Sequence, residues 1–220
     1  MDIFGFDTGK VWDYENGFNL TSDISRMGKI VAHYELYKRI VHLPGHVLEL
    51  GVFKGASLLR FLTFRELLES PQSRKVVGFD AFGSFPQAAN EADKRFVERW
   101  ELGAGAGIPL EELEKSLALK KLGNYELVRG DILRSLPEYL ERNPQLKVAL
   151  LHIDTDIYEP AKAGLELLWD RVVRGGLVVL DDYGTEFGGT KAVDEFLRDR
   201  NVLVQKLPQS HASPAFIVKP

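Results

Sequence analysis

The chain has 220 residues, 45% of them hydrophobic and 27% charged, with 28 Lys and Arg against 32 Asp and Glu and no cysteine. That length and composition suit one buried core and carry no bulk signature of disorder. The absence of cysteine excludes disulfides, thiolate zinc sites, iron–sulfur clusters and a thiol nucleophile, and the acidic balance without a Lys/Arg block excludes a dedicated nucleic-acid footprint.

Any metal must therefore be held by oxygen or imidazole. Residues 1–10 carry no basic segment followed by an apolar one, and no apolar run reaches the ~20 residues of a membrane span. The expectation is a soluble, cytoplasmic protein that engages neither nucleic acid nor membrane.

The first 45 residues mix aromatics with polar groups, then turn helical, with Ile24, Met27, Ile30, Val31, Tyr34 and Ile40 at helical spacing over 23–41. Leu43-Pro44-Gly45 ends that helix. A strand–helix alternation follows, with strands expected over 47–50, 75–79, 125–128, 148–153 and 177–180. Helices are expected over 56–68, 91–100, 109–122, 133–142, 160–170 and 190–198, and a closing strand pair over 202–207 and 215–218. Apolar runs without alternation, such as Val148–Ile153, fit strands buried on both faces of a parallel sheet. The closing pair is joined by too short a link for a parallel crossover, so one of its members runs antiparallel. The fold expected is three-layer α/β: a mostly parallel sheet with an antiparallel C-terminal strand, helices on both faces, and a helical extension or lid over 1–45 on a core over 46–220.

Ligands of open α/β sheets sit beyond the carboxyl ends of the strands. The first core strand ends in Glu49-Leu-Gly-Val-Phe-Lys-Gly55, where two glycines bracket a strand-to-helix turn that backbone and ligand can share, or that is merely tight. Asp80, ending the second strand, can accept from ribose hydroxyls or cap its own turn. Phe82 and Phe85 can flank a purine or belong to the core. Asp131 can meet an adenine amino group or cap the next helix. Four carboxylates, Asp154 and Asp156 after one strand and Asp181 and Asp182 after the next, would repel without a cation unless they face water separately. An oxygen-only set of this kind suits Mg²⁺, Mn²⁺ or Ca²⁺. His152 stands just before it. Of the other histidines, only His33, on the N-terminal helix, lies where it can reach a cleft.

Val47-Leu-Glu-Leu-Gly-Val-Phe-Lys-Gly55, Gly78-Phe-Asp-Ala-Phe82, Leu151-His-Ile-Asp-Thr-Asp-Ile-Tyr-Glu159, Leu180-Asp-Asp-Tyr-Gly184 and Ala192-Val-Asp-Glu-Phe196 together resemble the macrocin O-methyltransferase family. The resemblance implies a Rossmann-like class I methyltransferase that uses S-adenosyl-L-methionine and Mg²⁺ on a sugar hydroxyl, in a nucleotide-linked sugar or a glycosylated natural product. It implies that Glu49 and Gly51 belong to the first cofactor motif, with Gly51, Gly55 and Ser57 lining the turn near the methionine part, that Asp80 serves the ribose, and that Asp131 lies near the adenine; Phe82 stays a cofactor candidate on its position alone. It assigns the metal to Asp154, Asp181 and Asp182. Asp154 then also takes the role of base, with Asp156 and His152 as further bases. Ala81 and Gly83-Ser84 stand where the family commonly has threonine and Glu-Gly, and the acceptor pocket is expected from the N-terminal region and residues 86–108.

Three other functions compete at this stage. Asp154-Thr-Asp156 is a D-x-D that could hold a metal in a glycosyltransferase, a catechol-type methyltransferase would use the same metal chemistry, and a binding protein could keep the nucleoside pocket alone. Aromatics in the N-terminal segment point to self-association.

Overall fold

The computed structural model describes all residues from 1 to 220. The N-terminal extension is more than one helix. Strands β1 (Asp2–Ile3) and β2 (Phe6–Asp7) form a small antiparallel hairpin, and α1 (Val11–Thr21) follows through a single 3-10 turn. No residue of α1 is buried. A helix without a core-facing stripe has no apolar period to read, so it escaped the sequence pattern. Helix α2 (Ile24–Lys38) starts at Asp23, whose side chain accepts from the Ser25 N–H, and ends short of the expected 41 in a turn.

The core then alternates as expected: β3 (His46–Leu50), α3 (Ala56–Leu68), β4 (Val76–Asp80), α4 (Glu91–Ala104), α5 (Leu110–Leu119), β5 (Tyr125–Arg129), α6 (Ile132–Arg142), β6 (Val148–Ile153), α7 (Tyr158–Leu168), β7 (Val172–Leu180), α8 (Phe187–Leu197), β8 (Gln205–Lys206) and β9 (Ala215–Val218). Helix α4 runs past Trp100 and takes up Gly103 and Ala104. Strand β7 starts five residues before the expected Leu177, at Val172, and β8 keeps only two residues of the span 202–207.

The seven-stranded sheet has the order β5-β4-β3-β6-β7-β9-β8. Strands β3 to β7 pair in parallel, and β9 lies antiparallel to both β7 and β8. Alternate residues feed two cores, as a period of two requires. Leu48, Leu50, Leu151, Ile153, Val178 and Leu180 pack with α6, α7 and α8. Val47, Leu150, Val179 and Phe216 pack with α2, α3 and α5 on the other face. The order reverses between β3 and β6, so their carboxyl ends open the crevice where a ligand is accommodated. No helix is long and apolar enough to cross a membrane.

Candidate active site

At the carboxyl end of β3 the chain turns through Gly51, whose φ is +88° and whose missing side chain leaves room for a neighbour. A Cβ there would stand 1.8 Å from the Asp154 carbonyl oxygen. Glycine is thus required twice, by conformation and by contact. Gly55, also at positive φ, caps α3, and Ser57 is buried in the first turn of that helix. Asp80 holds the turn from the next strand. Its Oδ2 accepts from the N–H groups of Val52 at 2.8 Å and Phe53 at 3.0 Å, while Oδ1 accepts from the Phe82 N–H at 2.6 Å. An ionised carboxylate offers about four acceptor positions, so one remains for a ligand hydroxyl.

Phe82 itself is buried in the α2–α3 core. Asp131 caps α6 by accepting from the Leu133 N–H. The loop after α4 closes over both turns: Ile108 N–H donates to the Phe53 carbonyl and Gly107 N–H to the Gly83 carbonyl, while Lys54 reaches the Ala104 carbonyl. Phe53, Phe82 and Asp156 all hold positive φ, one after each of β3, β4 and β6. Non-glycine residues in that region store about 1–3 kcal/mol each and cluster at functional sites.

The four carboxylates form two sets that Asp154 joins, since Asp181 is its strongest charged neighbour and Asp182 the next. Alternation along β7 sends Asp181 to the α2–α3 face with Val179, and Asp182 to the α6–α8 face with Leu180. Carboxylate oxygens of Asp154, Asp156 and Asp182 come within 4.8 Å of one another. The Asp156 N–H, tipped inward by a φ of +60°, donates to Asp182 Oδ2 at 2.8 Å. Burial and then its acidic neighbours push the carboxyls of Asp154 and Asp182 well above the usual range. Burial and the charge of Asp154 push Asp156 up to about 7. Such a set is short of positive charge, and its donors are all hard oxygens.

Asp181 belongs to a second, buried network. Glu49, wholly buried, places Oε1 at 3.0 Å from His152 Nδ1, its partner across the β3–β6 ladder. His152 Nε2 lies 3.6 Å from Asp181 Oδ1, and His33 Nε2 lies 4.0 Å from the same oxygen. Lys29 Nζ reaches Asp181 Oδ2 at 2.5 Å. Burial alone would lower His152, but the nearby Asp181 carboxylate and the hydrogen-bonded Glu49 outweigh it and bring the imidazole to about 10. Burial, then the charge of His152, pushes His33 well below its ordinary value. Asp181 is held well below the carboxylate range: burial opposes this, but His152 and Lys29 prevail. Lys29 was not foreseen. Its signal was present, since Lys29 and His33 sit four apart on the same stripe as buried Leu36, Tyr37 and Ile40.

The sheet order, the reversed strand beside β7 and the ligand edge at the switch point define a class I methyltransferase fold. One solved structure, that of CalS11, calicheamicin methyltransferase, superposes with a TM-score of 0.72 over 97% of this chain and 86% of that one, at 25% identity. Its apo form is described as a TDP-rhamnose 3′-O-methyltransferase. The model of the macrocin O-methyltransferase family matches residues 25–209, and the chain belongs to that family. Among curated relatives, the 8-demethyl-8-(2,3-dimethoxy-alpha-L-rhamnosyl)-tetracenomycin-C 4′-O-methyltransferase of Streptomyces olivaceus is 28% identical over 66% of this chain and 55% of that protein. The demethyldecarbamoylnovobiocin O-methyltransferase of Streptomyces niveus is 27% identical over 70% of this chain and 59% of that protein. The chain therefore spans little more than half the length of these relatives.

Proposed function

We propose that the protein transfers a methyl group from S-adenosyl-L-methionine to a hydroxyl of a deoxyhexose, nucleotide-linked or borne by a natural product, with Mg²⁺ at the carboxylate cluster. The observation that supports this reading is the close packing of the Gly51 turn on the Asp154 backbone, where a Cβ at Gly51 would lie 1.8 Å from the carbonyl oxygen, so that the turn proposed for the cofactor adjoins the cluster proposed for the cation. The family supports methyl transfer, and the sugar-methylating relatives support the acceptor class. They also remove the ground for reading Asp154-Thr-Asp156 as a glycosyltransferase motif.

The donors fit both groups. The turn 51–55 and the N-terminus of α3 would take the methionine end, and the free acceptor position of Asp80 would take a ribose hydroxyl. Bound at the cluster, a dication acidifies and orients a coordinated hydroxyl. Asp154 and Asp182 belong both to the triad implied by the family resemblance and to the cluster seen here. The third ligand is Asp156 by this geometry and Asp181 by the resemblance. Asp156 and Asp154 would take the hydroxyl proton, while the Gly107 and Ile108 N–H groups hold the two turns together.

The test is release of S-adenosylhomocysteine with deoxysugar nucleotides, glycosides and catechols, with and without EDTA. Turnover on a deoxysugar that EDTA abolishes and that Asp154→Asn loses is expected. Turnover confined to catechols would overturn the acceptor, and full activity in EDTA would overturn the metal.

A further inference from the structure

Of the four carboxylates at the crevice, only Asp181 pairs with a lysine. Lys29 Nζ, brought in by α2, lies 2.5 Å from its Oδ2. Asp154 is the next carboxylate to attract that ammonium. The other oxygen, Oδ1, faces His152 and His33 at 3.6 and 4.0 Å. Oδ2 is therefore the oxygen that Asp181 has to offer a dication, and a tethered positive charge already holds it. Two cations on one carboxylate oxygen repel each other.

The helix around Lys29 is fixed, so the side chain is the part that can give way. A Cβ on Gly28 would stand 2.5 Å from the Gln209 carbonyl oxygen, so α2 touches the backbone at that point. One turn further on, His33 stacks on Phe61 with ring centres 5.2 Å apart, and Tyr34 meets Phe64 at 5.4 Å. The lysine stem is flexible by nature. This one keeps 19% of its side chain exposed, against 8% for Asp181. Its ammonium has three donors and uses one of them within the protein.

We propose that Lys29 is a resident counter-ion of the metal site, holding Asp181 in the metal-free protein and giving up Oδ2 when the dication binds. This rests on the cation site proposed above and names the residue that sets its affinity. Lys29 is then a positioning residue: it keeps the Asp181 carboxylate in place until the cation takes it over. The two assignments of the third ligand are reconciled as well, because Asp181 joins Asp154 and Asp182 once the ammonium has left.

Mg²⁺ is titrated calorimetrically into the metal-free full chain as wild type, Lys29→Met and Lys29→Arg. Since wild type must break a charged hydrogen bond, Lys29→Met should bind Mg²⁺ about 10–100-fold more tightly. Lys29→Arg, which keeps the charge, should stay near wild type. In wild type the Lys29 ammonium protons should exchange slowly with water by NMR, and saturation with Mg²⁺ should make them exchange fast. That second measurement separates displacement from repulsion at a distance, and it decides the matter if Lys29→Met does not fold. Ammonium protons that stay protected in Mg²⁺ overturn the proposal. So does a Lys29→Met affinity equal to or below that of wild type, which would leave the pair purely structural. If neither wild type nor variants bind Mg²⁺, the cation site itself falls, and this role of Lys29 with it.

Discussion

Replacing Asp156 with Asn should stabilise the metal-free protein. Asn keeps the shape of the side chain and tolerates the left-handed backbone, where φ is +60°. What it removes is charge. Two charged carboxylates about 4.8 Å apart, the outer limit for Asp154 and Asp156, repel by about 3.5 kcal/mol at an effective dielectric near 20, and burial adds to the cost of the charge. Burial first, and the charge of Asp154 second, favour the protonated form and bring Asp156 to about 7 rather than its ordinary 3.8. A shift of about three units corresponds to a ceiling of about 4 kcal/mol.

The sign follows from linkage. A carboxyl raised in the fold contributes stability below its unfolded pKa and loses that contribution as pH climbs to about 7. Wild type should therefore weaken between about pH 4 and 7, and Asp156→Asn should escape this term. In EDTA at pH 8 the variant should be more stable by about 2–4 kcal/mol, or at least about 4 °C in Tm for a chain this long. At pH 5 the gain should shrink to about a third. Urea denaturation at both pH values measures it. A variant no more stable than wild type at pH 8 in EDTA would refute the cost of burying a charged Asp156 beside Asp154. Saturating Mg²⁺ should narrow the gap, because a cation at 100 times its Kd adds about 2.7 kcal/mol to wild type.

Glu49→Ala should cost about 3–5 kcal/mol, since it strands a charged imidazole in a wholly buried site; a loss under about 1 kcal/mol in urea denaturation would contradict the pairing. Gly51→Ala should destabilise by more than about 2 kcal/mol, because the overlap with Asp154 adds to the strain of positive φ. Its amide spectrum should move at residues 154–156, and an unmoved spectrum would deny the contact. Asp93 is buried and joins α4 to α7, pairing with the Asn90 amide and accepting the Tyr158 N–H at 2.9 Å. Asp93→Ala should therefore cost about 1–3 kcal/mol and speed hydrogen exchange across residues 90–104. Unchanged exchange there would mean that α4 is held by other contacts.

What could be read from the sequence divides along physical lines. Strands β3, β6 and β7 announced themselves because burial on both faces writes an unbroken apolar run. Helix α3 matched its expected span of 56–68, bounded by Gly55 and Ser70-Pro71. Helix α1 did not, since nothing in the fold buries it. The acidic cluster was legible as four carboxylates near two strand ends, but its division was not. That depends on the pleat continuing through Asp181 and Asp182, and on Lys29, 152 positions away, closing over one of them. Asp131 and Asp80 both engage backbone N–H groups, the capping alternative that residue type alone leaves open. For Asp80 the backbone bonds leave one acceptor position unused.

The contact of Gly51 with the Asp154 carbonyl has a consequence for redesign and for descent. Turns 51–55, 80–83 and 154–156 are joined through the Asp80 carboxylate, the N–H groups of Gly107 and Ile108 and the Gly51 contact, with no adjustable side chain between Gly51 and Asp154. They behave as a single cassette. A graft that exchanges one of these loops for a homologue's should fail unless the others travel with it, and substitutions at 51 and 154–156 should appear in lineages together. Diversity in what such enzymes recognise would then accumulate at the periphery, in α4 and the N-terminal extension, where the chain can vary without breaking that joint.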